Sequence, residues 1–177
     1  MNQTPVTLHV ISAADFDAVV ALHCASWRSA YRGILSDAYL DGDLLTDRLE
    51  VWHSKLSMMT DRHFGWLAKH DGEPVGFAFA SIDQDPTWGT LVDNLHVLPS
   101  HHGAGIGRGL LTAVAHVAHE RATHAGLFLW CLEQNIRARA FYEHLGAEAV
   151  ERIVSAAPDG QSHPKWRCAW RIMPFAP

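Results

Sequence analysis

The chain has 177 residues, of which 48% are apolar and 19% charged, and its formal net charge is −5 at neutral pH. This balance is ordinary for a globular protein and argues against a nucleic-acid partner, because no block of Lys and Arg offsets the negative charge. No apolar run reaches the roughly eighteen residues of a membrane span, and residues 1–10 lack a signal-peptide pattern. Three widely spaced cysteines fit reduced thiols. We therefore expect one cytoplasmic domain over residues 1–177, without a membrane partner.

The first third of the chain predicts a short strand and two helices. Residues 6–10 alternate as a strand does, and Ser12 can cap a helix that runs to about Tyr31. A second helix begins after Ser36 and carries apolar residues at helical spacing as far as Leu56. Trp27 and Tyr31 are four residues apart and share one face of the first helix, where core packing alone would account for them.

The remainder of the chain alternates strands with two further helices. Strands over 64–69 and 74–80 flank an Asp-Gly hairpin signal, and a strand over 89–97 leads into a glycine-dense loop and a helix to about residue 122. The apolar run 127–132 suits a strand that is covered on both faces. A helix follows from Asn135, its N-cap, to Gly146, and the last two strands are expected over 149–154 and 165–173.

The glycine-dense loop predicts an anion site. Gly103, Gly105, Gly107 and Gly109 fall within seven residues at the start of a helix, where each lowers helix propensity by roughly 1 kcal/mol relative to alanine. Unpaired amides and the positive end of the helix dipole favour phosphate at such a point. No register of these glycines fits the dinucleotide fingerprint, and the loop has no lysine for a Walker motif. These mismatches disfavour an NAD-linked oxidoreductase.

Two segments carry a family resemblance. The run 102–107, His-Gly-Ala-Gly-Ile-Gly, resembles the coenzyme A pyrophosphate loop Q/R-x-x-G-x-G/A of the GNAT superfamily of N-acetyltransferases. The helix from Asn135 to Gly146 is similar to a second GNAT pattern, N-x-x-A-x-x-F-Y-E-x-x-G. The run 27–35 resembles a W-R-x-x-Y-x-G-I-L stretch found in one bacterial branch of the family.

The resemblance implies the fold. Members have an α/β (α+β) architecture with a mixed, mostly antiparallel central sheet of about seven strands flanked by four helices. This agrees with the expected order β-α-α-β-β-β-α-β-α-β-β. In the family the two central strands splay apart, and the pantetheine arm lies in the gap between them.

The resemblance also implies the cofactor and its contacts: acetyl-CoA as co-substrate, with no metal. Backbone groups of Leu95, His96 and Val97 would pair with pantetheine and hold the acetyl carbonyl. The remaining cofactor contacts would come from His102, Gly103, Ala104, Gly105, Ile106, Gly107, Arg108, Asn135, Ala138 and Tyr142. His102 stands where the family has Arg or Gln, and an imidazole is only partly charged at neutral pH. Backbone amides should therefore carry most of the phosphate binding.

Acetyl transfer requires a neutral amine, a donor aimed at the carbonyl oxygen and a proton for the leaving thiolate. By resemblance Tyr142 is the acid that protonates the thiolate. Asp93 is the first choice for the base, with His96 and Glu133 as alternatives; strand alternation predicts that Asp93 shares a side with Leu95 and Val97. Cys131, in an apolar strand, is expected to be a buried structural thiol and not a nucleophile.

The leading interpretation is therefore an acetyl-CoA-dependent N-acetyltransferase that moves the acetyl group to a primary amine by direct attack in a ternary complex. The alternative is a non-catalytic acyl-CoA-binding or sensing module on the same fold. Trp27 and Tyr31 would border the acceptor pocket, and with the net negative charge they hint at a small cationic or aromatic amine. The C-terminal hairpin with Trp166 and Trp170 could form a homodimer interface, or its tryptophans could lie in the core.

Overall fold

The structure, a computed structural model, describes residues 5–172. Within this range it contains seven strands, five α-helices and two short 3-10 turns, at Ala13–Asp15 and Pro99–His101. The strands are β1 (Thr7–Val10), β2 (His63–His70), β3 (Glu73–Asp85), β4 (Gly89–Val97), β5 (Leu127–Leu132), β6 (Glu148–Ala156) and β7 (Ser162–Trp170). The helices are α1 (Phe16–Ala30), α2 (Asp37–Asp41), α3 (Leu44–Ser57), α4 (Ile106–Arg121) and α5 (Ile136–His144).

All seven strands form one sheet in the order β1-β2-β3-β4-β5-β7-β6. Neighbours run antiparallel except β4 and β5, which are parallel. That parallel pairing is confined to Thr90 with Leu127 and Leu91 with Phe128, after which the two strands separate. The expected mixed, mostly antiparallel sheet of seven strands is confirmed, and it opens at its centre.

The helices cover the two faces of the sheet, each over its own apolar core. On one face α4 buries Leu110 and Val114, and on the other α1 buries Val19 while α3 buries Trp52. Burying one such side chain completely contributes about 1.5–3 kcal/mol relative to leaving it in water. We call these the α4 face, which also carries α5, and the α1 face, which also carries α2 and α3.

The expectation of four helices was wrong, because the second predicted helix is broken in two at Gly42. Leu40 and Leu44 on either side are both fully buried, so the apolar spacing runs across the break unchanged. Gly42 has φ −105° and ψ −93°, outside the helical region, and a β-carbon there would lie 2.6 Å from the Ala38 carbonyl oxygen. Periodicity therefore predicted the buried face correctly but could not reveal the turn.

The C-terminal strands begin earlier than predicted. They form a hairpin of nine-residue strands, β6 and β7, and β7 ends at Trp170 and not at the predicted residue 173. Residue 173, the tail to 177 and residues 1–4 lie outside the described residues. Trp170 is buried and donates to the Leu145 carbonyl at 2.9 Å, while Trp166 packs against the core of the α4 face. Their packing gives these tryptophans a role in the core, and the homodimer stays a prediction. Between residues 5 and 172 no helix combines the length and apolarity needed to cross a membrane.

Candidate active site

The glycine loop ends at the N-terminus of α4 with its amides turned outward. Gly105 is the N-cap residue with φ 78°, a left-handed conformation that glycine adopts without the penalty of a side chain. The first helical hydrogen bond joins Gly109 N to Gly105 O at 2.9 Å, so the amides of Ile106 and Gly107 have no acceptor inside the helix. The first turn of α4 carries no acidic residue. This arrangement fits a bound pyrophosphate.

Neighbouring side chains shape the loop without filling it. A β-carbon on Gly107 would lie 3.2 Å from Phe141 Cζ, so α5 can pack close to the loop only because this residue is glycine. His102 Nε2 donates to the Val97 carbonyl oxygen at 2.9 Å, which ties the imidazole to the end of β4. Ala104 and Arg108 are exposed at the same end of the helix.

The gap between β4 and β5 begins directly after Leu91. Residues 94–97 of β4 pair with β3 on one side only, so their other backbone edge faces the gap. Leu95 and Val97 pack toward the core of the α4 face. Asn135 stands across the gap at the start of α5, where its Oδ1 accepts from Ala138 N at 3.2 Å and caps the helix.

A β-bulge changes the position of Asp93. Ala80 pairs with Val92 and Phe79 with Asn94, which leaves Asp93 as the extra residue of β4. Asp93 consequently lies beside Asn94 and His96, and the prediction that it shares a side with Leu95 and Val97 was wrong. Strand alternation fails here because one inserted residue inverts the side-chain pattern beyond it.

A cleft of about 220 Å³ opens on the α1 face beside the gap. Trp27 and Tyr31 of α1 form one wall, with their ring centroids 5.1 Å apart. Asp93 stands on the β4 side of the cleft, and Trp130 and Lys165 contribute from β5 and β7. The other lining residues are Leu35, Asn94, His96, Leu132, Ser155, Ala156, Ala157 and Pro158.

Partly buried His96, which lines the cleft, packs against fully buried His23, a pairing that the sequence analysis did not find. His96 Nδ1 is 3.0 Å from Ser26 Oγ, and its ring centroid is 4.6 Å from that of His23. Trp52 Nε1 donates to His23 Nδ1 at 2.8 Å, so the proton of the neutral His23 ring sits on Nε2. Burial lowers the pKa of His96 to about 3 and holds the pKa of His23 well below its ordinary value. Both imidazoles are therefore neutral at pH 7.

Arg48 packs against Trp27, one of the two aromatic residues that form the wall of the cleft. Its guanidinium lies 4.2 Å from the centroid of the Trp27 ring, and the residue is only 6% exposed. Asp47 pairs with this guanidinium and also accepts from the Tyr39 hydroxyl. No local pattern in the sequence predicts this cluster, because its members come from three helices.

The three candidate bases are in different states. Asp93 forms an ion pair with Lys55, and its side chain is 36% exposed. The pKa of Glu133 falls to about 2 because Arg152 binds both its carboxylate oxygens, at 2.6 and 2.9 Å, so it is a poor base. His96 is a weak base, because burial lowers its pKa to about 3. Asp93 thus combines position in the cleft with a negative charge.

Tyr142 of α5 lies in the core of the α4 face, close enough to Tyr31 for the two phenols to interact electrostatically. It is 8% exposed, and its ring packs edge-on against Trp170 with centroids 6.2 Å apart. Burial raises its pKa well above the ordinary tyrosine value, with smaller contributions from Cys131 and Tyr31 close by. The phenol therefore keeps its proton at pH 7. Cys131 is buried too, and burial raises the pKa of its thiol to about 12, so it is no thiolate nucleophile.

Comparisons with known proteins give the same family and fold. Residues 19–147 match the model of the Acetyltransferase (GNAT) family. "Probable N-acetyltransferase Rv2775" of Mycobacterium tuberculosis is 29% identical over 146 residues, which span 81% of this chain and 80% of the relative.

Two solved structures have the same fold. The GCN5-related N-acetyltransferase of Rhodopseudomonas palustris superposes with a TM-score of 0.74 at 21% identity, covering 96% of this chain and 97% of that one. The PaiA N-acetyltransferase of Thermoplasma acidophilum, solved with coenzyme A, has a TM-score of 0.71 at 17% identity, covering 94% and 98%. Since the family model spans most of the chain, this protein belongs to the GNAT family of acetyltransferases.

Proposed function

We propose that this acetyltransferase moves an acetyl group from acetyl-CoA to the primary amine of a small molecule by direct attack in a ternary complex. One observation carries the proposal: β4 and β5 separate after Leu91, and the part of β4 beyond that point faces both sides of the sheet. Its Asp93 and His96 line the cleft, while its Leu95 and Val97 pack on the α4 face, which carries Tyr142. A thioester entering from the α4 face would meet an amine entering from the α1 face. No covalent enzyme intermediate is needed in this arrangement.

The pyrophosphate of coenzyme A would bind the amides at the start of α4, where the helix dipole favours negative charge. The PaiA protein, which shares this fold, was solved with coenzyme A. The free backbone edge of residues 94–97 offers amide and carbonyl groups to the pantetheine arm. An amide on this edge would also stabilise the oxygen of the acetyl carbonyl as it gains negative charge.

Asp93 would accept the proton of the attacking amine, directly or through water. An alkylamine is mostly protonated at pH 7, so the lone pair becomes available only when a base removes this proton. Tyr142 would then donate its phenolic proton to the departing thiolate. Its raised pKa keeps that proton in place until the sulfur becomes negative.

Two measurements on the purified protein test the proposal. Titration calorimetry with coenzyme A should give saturable heat, and free-thiol release from acetyl-CoA should require an added amine. Absence of heat would contradict cofactor binding altogether. Heat without thiol release across a broad amine panel would favour the alternative, an acyl-CoA-binding or sensing module. Thiol release that is independent of amine would argue against direct attack.

A further inference from the structure

Lys165 is a cation in the cleft that has no anionic partner. It lies on β7, is half-buried and lines the same cavity as Asp93 and Trp27. Its Nζ stands 5.1 Å from the centroid of the Trp130 ring. Across residues 5–172, no carboxylate oxygen comes within 4.0 Å of this ammonium and no hydrogen bond reaches it.

The other cations around the cleft are compensated. They pair as Lys55 with Asp93, Arg48 with Asp47, and Arg167 with both Asp85 and Glu151. Asp93 is the single carboxylate among the residues that line the cavity, and Lys55 already neutralises it. The cleft therefore holds one uncompensated positive charge, in a chain whose formal net charge is −5.

A half-buried ammonium without a counter-ion is less stable than a paired one, because it loses part of its water and gains only the face of the Trp130 ring in exchange. Burial lowers the pKa of Lys165 accordingly, and no neighbouring carboxylate opposes the shift. A bound anion would restore the missing interaction. A polyamine acceptor, by contrast, would bring a second ammonium toward Lys165 and be repelled.

Resting on the function proposed above, we infer that the acceptor is a primary amine that also carries a carboxylate, an amino acid or a close analogue. Its amine lies toward Asp93 at the β4 bulge, and its carboxylate pairs with Lys165. The rings of Trp27, Tyr31 and Trp130 line the space between and suit an apolar or aromatic body. Lys165 is thus a specificity-determining residue.

Three acceptors that share one aromatic body test this inference: phenylalanine, phenylalaninamide and 2-phenylethylamine. We expect kcat/KM for phenylalanine, corrected for the neutral fraction of each amine, to exceed the other two by about tenfold, because charge-assisted hydrogen bonds are the strong ones. Lys165→Met should lower the phenylalanine value by about tenfold and leave the other two within about twofold. Lys165→Arg should preserve the preference. Lys69→Met, the same change on β2 outside the cleft, should behave as the unaltered protein.

Two outcomes would overturn the inference alone. One is a wild-type preference for phenylethylamine or the amide, and the other is an equal loss for all three acceptors in Lys165→Met. The proposed function fails separately, if coenzyme A gives no heat in calorimetry. If coenzyme A binds but none of the three amines is acetylated, a second experiment applies. N-acetylphenylalanine is then titrated into the coenzyme A complexes of the unaltered protein and of Lys165→Met. Equal affinity for N-acetylphenylalanine in the two proteins would overturn the role of Lys165.

Discussion

The two faces of the sheet contribute different kinds of chemical group to the candidate site. On the α4 face the proposed binding groups are backbone amides, in one continuous glycine-rich stretch from residue 102 to 109. On the α1 face they are side chains brought together from α1, α3, β4, β5 and β7. The first face can be identified from a short motif, whereas the second exists only after folding.

This contrast has a physical origin. A pyrophosphate is an anion of fixed charge and shape, so one helix N-terminus with glycines is enough to bind it. An acceptor differs in charge and shape from enzyme to enzyme, and binding it requires side chains whose positions depend on packing. The α1 face accordingly carries buried polar groups that are costly unless paired, such as Arg48 on Trp27 and the His23–His96 pair.

The largest effect should come from Tyr142, the proposed general acid on the α4 face. Tyr142→Phe should lower kcat by about 10²-fold or more, as expected when a general acid is lost, while coenzyme A affinity stays within about twofold. Steady-state kinetics and calorimetry measure the two quantities. An unchanged kcat in Tyr142→Phe, with chemistry shown to limit the rate, would remove Tyr142 from the mechanism.

Gly105→Glu should break the α4 face while sparing the α1 face. It puts a carboxylate at the anion site and a side chain in a left-handed conformation that costs about 1–2 kcal/mol. We expect coenzyme A affinity to fall by about 100-fold in calorimetry, because like charges meet in a partly desolvated site.

Gly160→Glu is the matched control for this change. Gly160 has φ 80° with open space around it, as Gly105 does, but lies in the β6–β7 turn. The Gly160→Glu variant should carry the same backbone strain and the same added charge, but its affinity for coenzyme A should not fall. Equal losses in both variants would show that strain, and not the anion site, is responsible.

The His23–His96 pair of the α1 face should make stability depend on pH. Unfolded His96 binds a proton below about pH 6.5, but the folded residue does so only near pH 3. The unfolded state therefore holds more protons between these values, and stability falls as pH falls. This residue alone should cost about 2 kcal/mol between pH 7.5 and pH 5.

Urea denaturation at the two pH values measures this loss. In His96→Gln the loss should be smaller by about 2 kcal/mol, since Gln does not titrate. His119→Gln, on the exposed side of α4, should retain the full loss. An identical pH dependence in both variants would exclude His96 as its source.

Trp27→Leu should give the smallest of these effects and sharpen the division between the faces. It removes the ring that Arg48 stacks on and that lines the cleft, so the KM for the amine should rise about tenfold. Coenzyme A affinity should not change. Trp88→Leu, in the β3–β4 turn outside the cleft, is the control and should leave both values unaltered. A weaker affinity for coenzyme A in Trp27→Leu would mean that the two faces do not act separately.

The sequence by itself determined the family, through the resemblance of its motifs, and the order of the seven strands along the chain, and it predicted an anion loop over residues 102–109. These features depend on local signals: glycine spacing, caps and apolar periodicity, all of which act within a few residues. Trp27 and Tyr31 were also singled out from sequence, and the structure puts both in the wall of the cleft.

Only the tertiary structure decided the rest. The break at Gly42 leaves the apolar spacing of the second predicted helix unchanged, so periodicity could not reveal it. The bulge at Asp93 inverts the alternation of side chains along β4, and no local signal in the sequence marks it. Three partnerships join different parts of the α1 face: Asp93 with Lys55, Trp27 with Arg48, and His96 with His23. Lys165 stands without a partner for the same reason: whether a charge is paired depends on which strands and helices meet, and no local stretch of sequence contains that information.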